Sequence, residues 1–249
     1  NILNTADGVF VSSPRQRIFL ERYYAYPDYH TYSVPYGVEL ADFSPKEKSL
    51  EIRQKLGISE EAHVVVTTSD MTDPREVIHL LKAFEIVAIK KNQIFLLILG
   101  DGPHFKQVEF QMLNLALGSR VFMTGSMTAI EMADYISAGD IFINLSSKTT
   151  GYDASILEAM AQKKVVIGSE LSPLADVIED GVDGFLLRPA DSESLSQLLL
   201  ELFSGGMPLA EIGDRARQKI INIFDTKKMV FALLDAYRKI LVNSGRFKS

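Results

Sequence analysis

The stretch TTGYDASILEAMAQKKVVIGS, residues 149–169, contains a polar loop, a helix and a buried strand in that order. The helix is expected to begin at Ser155 or just before it, and an apolar strand follows at 165–169. A short turn that enters a helix below a parallel sheet is a natural place to hold a phosphate, because the first N–H groups of the helix are unpaired. The turn also carries an acid, Asp153, close to where an anion would lie. The stretch predicts an α/β fold and raises the question whether this helix holds an anionic ligand.

The rest of the chain repeats this alternation of apolar strands and periodic helices. Strands are predicted at 63–69, 94–100, 120–125, 141–146, 165–169 and 184–189. Their near-continuous apolar character suits a parallel sheet covered by helices on both faces. Helices are predicted after Pro74, at 105–117 and at 129–138, the last with a capping box of Thr128 and Glu131. This spacing predicts a doubly wound α/β fold.

The two ends of the chain depart from that pattern. A strand at 6–13 and a helix at 14–24 precede an extended stretch at 32–45, and two helical patterns at 208–224 and 227–242 have no strand after them. We therefore predict four segments, in which a small remnant of a second domain precedes the main one. They are the end of an N-terminal domain at 1–30, a connector at 31–45, a Rossmann-like domain at 46–225, and a C-terminal helix at 226–249 that returns towards the N-terminal domain.

Composition excludes several classes of protein. The 249 residues are 47% apolar and 23% charged, as in ordinary globular proteins, and they carry a net charge of −6 with a pI near 5.3. This acidic balance argues against a nucleic-acid partner. The absence of cysteine excludes disulfides and thiolate chemistry, and it fits a cytoplasmic location. The histidines show no metal-ligand spacing, so no metal is expected.

Small or polar residues follow five of the predicted strands. They lie at 69–70, 100–102, 125–126, 146–147 and 168–169. In an open parallel sheet the carboxyl ends of the strands form the edge at which ligands bind. Any single turn of this kind is explained by ordinary turn preferences. Five together favour a nucleotide-type ligand.

The order of these motifs resembles the donor-binding half of GT-B glycosyltransferases, in particular the retaining group called glycosyltransferase family 4. The resemblance rests on the stretches VPYGVELADFSP, LLILGDGP, VFMTGSMTAIEMADYISAGDIFINLS and LEAMAQKKVVIGSELSPLADVIEDGVDGFLLRPAD, and it runs from about residue 6 to the end. It implies a Rossmann-like GT-B C-terminal domain whose N-terminal acceptor domain is missing from this chain. It also implies a nucleotide-sugar donor, with UDP- or GDP-sugars expected, and no further cofactor.

The resemblance also implies roles for individual residues. Glu158 matches a glutamate that bonds the nucleotide ribose in the family, although Ser155 and Glu158 would also form a capping box with no ligand. The backbone N–H groups of Ala154, Ser155 and Ile156 would face the donor diphosphate. The positions expected to border the base are Gly100, Gly102, and Met123 to Gly125.

Three positions depart from the family pattern, and a fourth, Arg75, keeps its positive charge. The family's first glutamate, near the sugar, is Thr150 here, and the glycine before the phosphate-binding helix is Asp153. An arginine and a lysine that hold the diphosphate in the family correspond to Asp70 and Arg75. Arg75 and Thr150 are thus the candidate catalytic positions, while Asp70 and Asp153 add negative charge to the donor site. A shifted alignment in which Lys148 or Arg188 supplies the missing charge remains open.

Two functions from different classes follow. The first is a retaining glycosyltransferase in which this chain holds the donor site, a missing N-terminal domain binds a glycan or other acceptor, and the isolated chain has little activity. The alternative is a degenerate, non-catalytic subunit that acts by binding a protein partner. A sugar-nucleotide epimerase or a phosphorylase on the same fold is a third reading.

Overall fold

The computed structural model describes residues 2–46, 50–146, 154–171 and 173–244, and all structural statements concern this part of the chain. It divides into two compact units: a larger unit, 41–218, and a smaller unit, 1–40 together with 219–249. The strands are β1 Val9–Val11, β2 Thr31–Ser33, β3 His63–Thr68, β4 Ile94–Leu99, β5 Val121–Met123, β6 Ile141–Asn144, β7 Val165–Ser169 and β8 Phe185–Leu187. The helices are α1 Pro14–Tyr24, α2 Leu50–Lys55, α3 Pro74–Lys90, α4 Phe105–Asn114, α5 Ala129–Ala138, α6 Ala154–Ala161, α7 Ser192–Leu202, α8 Leu209–Lys219 and α9 Thr226–Asn243.

A parallel sheet forms the centre of the larger unit, with the strand order β5-β4-β3-β6-β7-β8. Helix α3 packs against α4 and α7, and helix α5 packs against α2 and α6. The crossover helices α3 and α4 lie on the face opposite to α5 and α6, because right-handed crossovers in opposite directions along a sheet place their helices on opposite sides. The prediction of a doubly wound parallel sheet is confirmed, and each predicted apolar run forms one of its strands.

Most helix boundaries follow from local chemistry. Pro74 opens α3 after the N-cap Asp73, and the capping box of Thr128 and Glu131 at α5 is present as predicted. The predicted helix at 105–117 is shorter, because α4 ends at Asn114 and Ala116 takes a positive φ of 54°. The pattern at 208–224 divides into α8 and a π-helical turn, Ile220–Phe224. Helices α2 and α7 were not among the predicted elements.

The smaller unit contains a parallel pair of strands, in which Val9 lies opposite Thr31 and Val11 opposite Ser33. Strand β2 therefore lies within the segment predicted as a connector. Phe10 of β1 meets the Tyr237 ring of α9 edge to face, with ring centroids 5.1 Å apart. None of the helices within the described ranges is long and apolar enough to cross a membrane. The four predicted segments remain a prediction.

A fully buried arginine, Arg53 of α2, joins several elements at the amino end of the sheet. Its guanidinium donates to the carbonyl oxygens of Ala62 at 2.8 Å and Ala138 at 3.0 Å, and it contacts the Asp140 carboxylate at 3.2 Å. The same Asp140 oxygen accepts the N–H of Val64 at 2.9 Å. Arg53 thus links α2, the start of β3 and the end of α5 around one buried charge.

Replacing Arg53 with Met should lower the free energy of unfolding by about 3–5 kcal/mol, because it removes the buried guanidinium that pairs with the Asp140 carboxylate and donates to several carbonyl groups. Urea unfolding followed by circular dichroism measures this. Lys55→Met, at an exposed position of the same helix, is the matched control and should change the value by less than about 0.5 kcal/mol. A loss below about 1 kcal/mol for Arg53→Met would contradict this role.

Candidate functional site

The sheet has a topological switch point between β3 and β6, where the chain turns towards opposite edges. Ligands of open α/β sheets bind in the crevice outside the carboxyl ends of such strands. The Thr68 hydroxyl at the end of β3 lies 2.7 Å from the Ser155 hydroxyl of α6. This hydrogen bond fastens the first turn of α6 to the end of β3, so the N-terminus of the helix lies at the switch point.

Helix α6 begins at Ala154, which makes Ser155 its second residue. The predicted capping box, with Ser155 as the N-cap and Glu158 three residues later, is therefore wrong, because Ser155 lies within the helix. Ala154, Ser155 and Ile156 form the first turn, as expected, and the N–H groups of a first turn have no partner within the helix. Glu158 lies one turn further along and is half-buried.

The loop between β3 and α3 lies directly against the loop after β4. A Cβ atom at Gly100 would lie 2.2 Å from the Ser69 carbonyl oxygen, and one at Gly102 would lie 1.8 Å from the Asp70 carbonyl oxygen. Gly100 also has a φ of 123° and donates its N–H to the Gly125 carbonyl at 3.2 Å. Close packing between loops therefore explains why glycine is needed at 100 and 102, and it brings the ends of β3, β4 and β5 together.

Asp70 turns its carboxylate towards its own loop. Its Oδ1 accepts hydrogen bonds from the N–H of Thr72 at 3.0 Å and from the hydroxyl of Thr72 at 2.7 Å. The next residue, Met71, is fully buried and has a φ of 47°, which anchors the loop. The Asp70 carboxylate is thus held by local hydrogen bonds.

Arg75 lies in the first turn of α3 and pairs with Asp73. Its Nε and Nη2 atoms contact the Asp73 carboxylate at distances of 2.6–3.1 Å, and its side chain is 78% exposed. The side-chain hydrogen bond from Arg75 is the main reason that the pKa of Asp73 falls to about 2, with a smaller contribution from His104. Asp73 was not among the predicted site residues, although an aspartate before a proline is a typical helix N-cap signal.

A cavity of about 180 Å³ lies beside this pair, lined by Asp73, Arg75, Glu76, His79, Leu145, Pro189 and Ala190. Leu145 follows β6 and Pro189 follows β8, so the cavity also opens at the carboxyl edge of the sheet. The cavity therefore lies next to Arg75.

The remaining predicted site residues lie near the ends of β5 and β8 or outside the described residues. Met123 ends β5, opposite Ile98 of β4, and Gly125 follows it. Arg188 is 80% exposed and contacts Glu170 at 3.3 Å. Thr150 and Asp153, together with Lys148, lie outside the described residues. No group of three His, Asp or Glu side chains in the described ranges could hold a metal ion.

Comparison with known proteins gives consistent matches. The family model "Glycosyl transferases group 1" matches residues 48–219. The chain is similar to alpha-monoglucosyldiacylglycerol synthase from Streptococcus pneumoniae, with 30% identity over 188 residues that cover 74% of this chain and 42% of that protein. It is also similar to N-acetyl-alpha-D-glucosaminyl L-malate synthase from Bacillus anthracis, with 25% identity over 196 residues that cover 79% of this chain and 50% of that protein. The chain thus spans about half the length of these relatives or less.

A solved structure with a similar fold is that of HepE from Anabaena in complex with UDP and glucose. The TM-score is 0.83 at 21% identity, and the match covers 94% of this chain and 63% of that chain. This likeness supports the assignment of the Rossmann-like fold.

The loop contact gives a test of how the site is built. Gly102→Ala should lower the free energy of unfolding by about 1–3 kcal/mol, because the new methyl group would overlap the Asp70 backbone. Gly118→Ala is the matched control, since a Cβ there meets only the Leu113 side chain at 3.5 Å. Urea unfolding of both variants measures the difference, and equal stabilities would contradict the direct loop contact.

Proposed function

Because the chain belongs to the glycosyl transferases group 1 family, we propose that it holds the donor site of a retaining glycosyltransferase that uses a nucleotide-sugar. The observation that carries this proposal is the position of the N-terminus of α6 at the switch point, held there by the 2.7 Å contact between Ser155 and Thr68. Helix N-termini favour anions through their free N–H groups and the helix dipole. The diphosphate of the donor is the anion that this position would bind.

The charges around this position decide how the diphosphate binds. Arg75 supplies a cation in the first turn of α3, and the amides of Ala154, Ser155 and Ile156 supply hydrogen-bond donors. A carboxylate about 5 Å from a phosphate charge would cost roughly 3 kcal/mol at an effective dielectric near 20. The local bonds of Asp70 to Thr72 hold its carboxylate within its own loop, which is compatible with an anion at α6.

The nucleoside would extend from α6 across the carboxyl ends of β3, β4 and β5. Three strand spacings, about 14 Å, separate β6 from β5, a span comparable with that of an extended nucleoside diphosphate. Glu158 would accept the ribose hydroxyls, and the stretches at 100–102 and 123–125 would border the base. HepE, whose structure was solved with UDP and glucose, supports a UDP-sugar as the first donor to test.

Transfer itself would depend on positioning and on stabilisation of the departing diphosphate. Arg75 and the α6 amides act on the negative charge that develops as the sugar–phosphate bond breaks. Thr150 corresponds to a position near the sugar. The acceptor, a glycan or another molecule, would bind the N-terminal domain expected from the sequence, and no metal is expected in the reaction.

Calorimetric titration with UDP, GDP and ADP, and with their common sugars, tests the donor site. We expect one nucleotide to bind in the micromolar range. Arg75→Ala should weaken it roughly 10- to 100-fold, and Glu158→Gln by a similar factor, because each removes a charge-assisted hydrogen bond.

Two matched variants control for general charge effects. Lys82→Ala removes an exposed cation two turns further along α3, and Glu61→Gln removes an exposed acid just before β3, at the opposite end of the sheet. Both should bind as the unmodified protein does. If no nucleotide binds the folded protein, the donor-site proposal fails and the non-catalytic interaction subunit replaces it.

A further inference from the structure

We propose that Asp73 limits the affinity of this site for nucleoside diphosphates, because its carboxylate competes with the ligand for the guanidinium of Arg75. This inference rests on the proposed function, and it adds a residue that sets the affinity of the same site. Asp73 acts here as an internal anion, because its carboxylate is paired with the guanidinium that the diphosphate needs.

The geometry of the pair is that of a bidentate anion complex. Asp73 Oδ2 accepts from Arg75 Nη2 at 2.6 Å and from Nε at 3.1 Å, while Oδ1 accepts from Nε at 2.9 Å. A phosphate can bind arginine bidentately through this same Nε–Nη2 edge of the guanidinium. A diphosphate that binds Arg75 in this way must therefore displace the Asp73 carboxylate.

The two partners differ in how firmly they are held. Asp73 is the N-cap of α3, and its Oδ1 also accepts the backbone N–H of Arg75 at 3.0 Å. The Arg75 side chain is 78% exposed, and its side-chain hydrogen bonds within the described residues all go to Asp73. The Arg75 guanidinium can therefore move to a ligand. The Asp73 carboxylate stays in place as the N-cap and continues to attract the guanidinium.

The charge of Asp73 can be removed without removing the cap. Asparagine is as good an N-cap as aspartate, because its side-chain oxygen accepts the same backbone hydrogen bond. Exposed ion pairs are weak, so release of Arg75 alone gives a gain of about 1.4- to fivefold. Loss of the nearby negative charge adds to this.

The experiment measures UDP, GDP and ADP binding by calorimetry in four proteins: the unmodified chain, Asp73→Asn, Arg75→Ala and the double variant. We expect Asp73→Asn to bind the nucleotide about five- to tenfold more tightly than the unmodified chain. This gain should largely vanish when Arg75 is also replaced by Ala, because no guanidinium is left to release.

The matched control is Asp225→Asn. Asp225 caps α9 in the smaller unit and accepts the N–H of Lys227 at 2.9 Å, the same local bond that Asp73 makes to residue 75. This variant makes the same change in net charge and should bind nucleotide as the unmodified chain does. Thermal unfolding of Asp73→Asn checks that α3 keeps its cap.

Three results would overturn the inference. If Asp73→Asn binds equally or more weakly while Arg75→Ala loses affinity, the donor site stands and Asp73 positions Arg75 instead. If Asp73→Asn gains as much affinity in the Arg75→Ala background, the effect is general repulsion and not competition. If neither the unmodified chain nor Asp73→Asn binds any nucleotide while both are folded, the proposed function and this inference fail together.

Discussion

Backbone contact between the loops that follow β3 and β4 is the constraint on which the candidate site depends. Two positions without side chains, Gly100 and Gly102, let the carbonyl groups of Ser69 and Asp70 lie where a Cβ atom would otherwise be. This contact fixes the loop that carries Asp70 and leads to Asp73 and Arg75 at the start of α3. The hydrogen bond between Thr68 and Ser155 then sets the N-terminus of α6 against the same strand end. Contacts within the protein are thus sufficient to position the polar groups at the carboxyl edge, without a ligand.

The carboxyl edge differs from a simple anion-binding site because the positive charges of its described residues are paired with acids. Both arginines described there are paired with acids, Arg75 with Asp73 and Arg188 with Glu170. The Asp70 carboxylate, at a position that the resemblance would give to an arginine, accepts two hydrogen bonds from Thr72. An anionic ligand would therefore meet helix amides first, and it would gain either of these two arginines by taking the place of the arginine's carboxylate partner. Such a site would bind a nucleotide-sugar less tightly than one with two unopposed cations, and its affinity would depend on single charges in the first turn of α3.

The fold could be predicted from the sequence because its determinants are local. Each buried strand is a near-continuous apolar run, and Thr128 with Glu131 forms the expected capping box. The site was predicted less completely, because its main contacts join residues far apart in the chain. The pairing of Thr68 with Ser155, 87 positions later, has no local signal. The capping-box interpretation of Ser155 was wrong because α6 already begins at Ala154. Asp73 did have a local signal, the Asp-Pro helix start, but only the structure shows that its carboxylate also engages the Arg75 guanidinium. Thr150 and Asp153 remain predictions from the family resemblance.

The most direct test of the central claim is to map, by amide chemical-shift changes in an NMR titration with UDP and GDP, where a nucleotide touches the protein. If the switch point is the donor site, the largest changes will fall on Ala154, Ser155 and Ile156 and on the loop at 68–71, with smaller changes at 100–102 and 123–125. Changes confined to the amino end of the sheet, or to the smaller unit, would contradict the account.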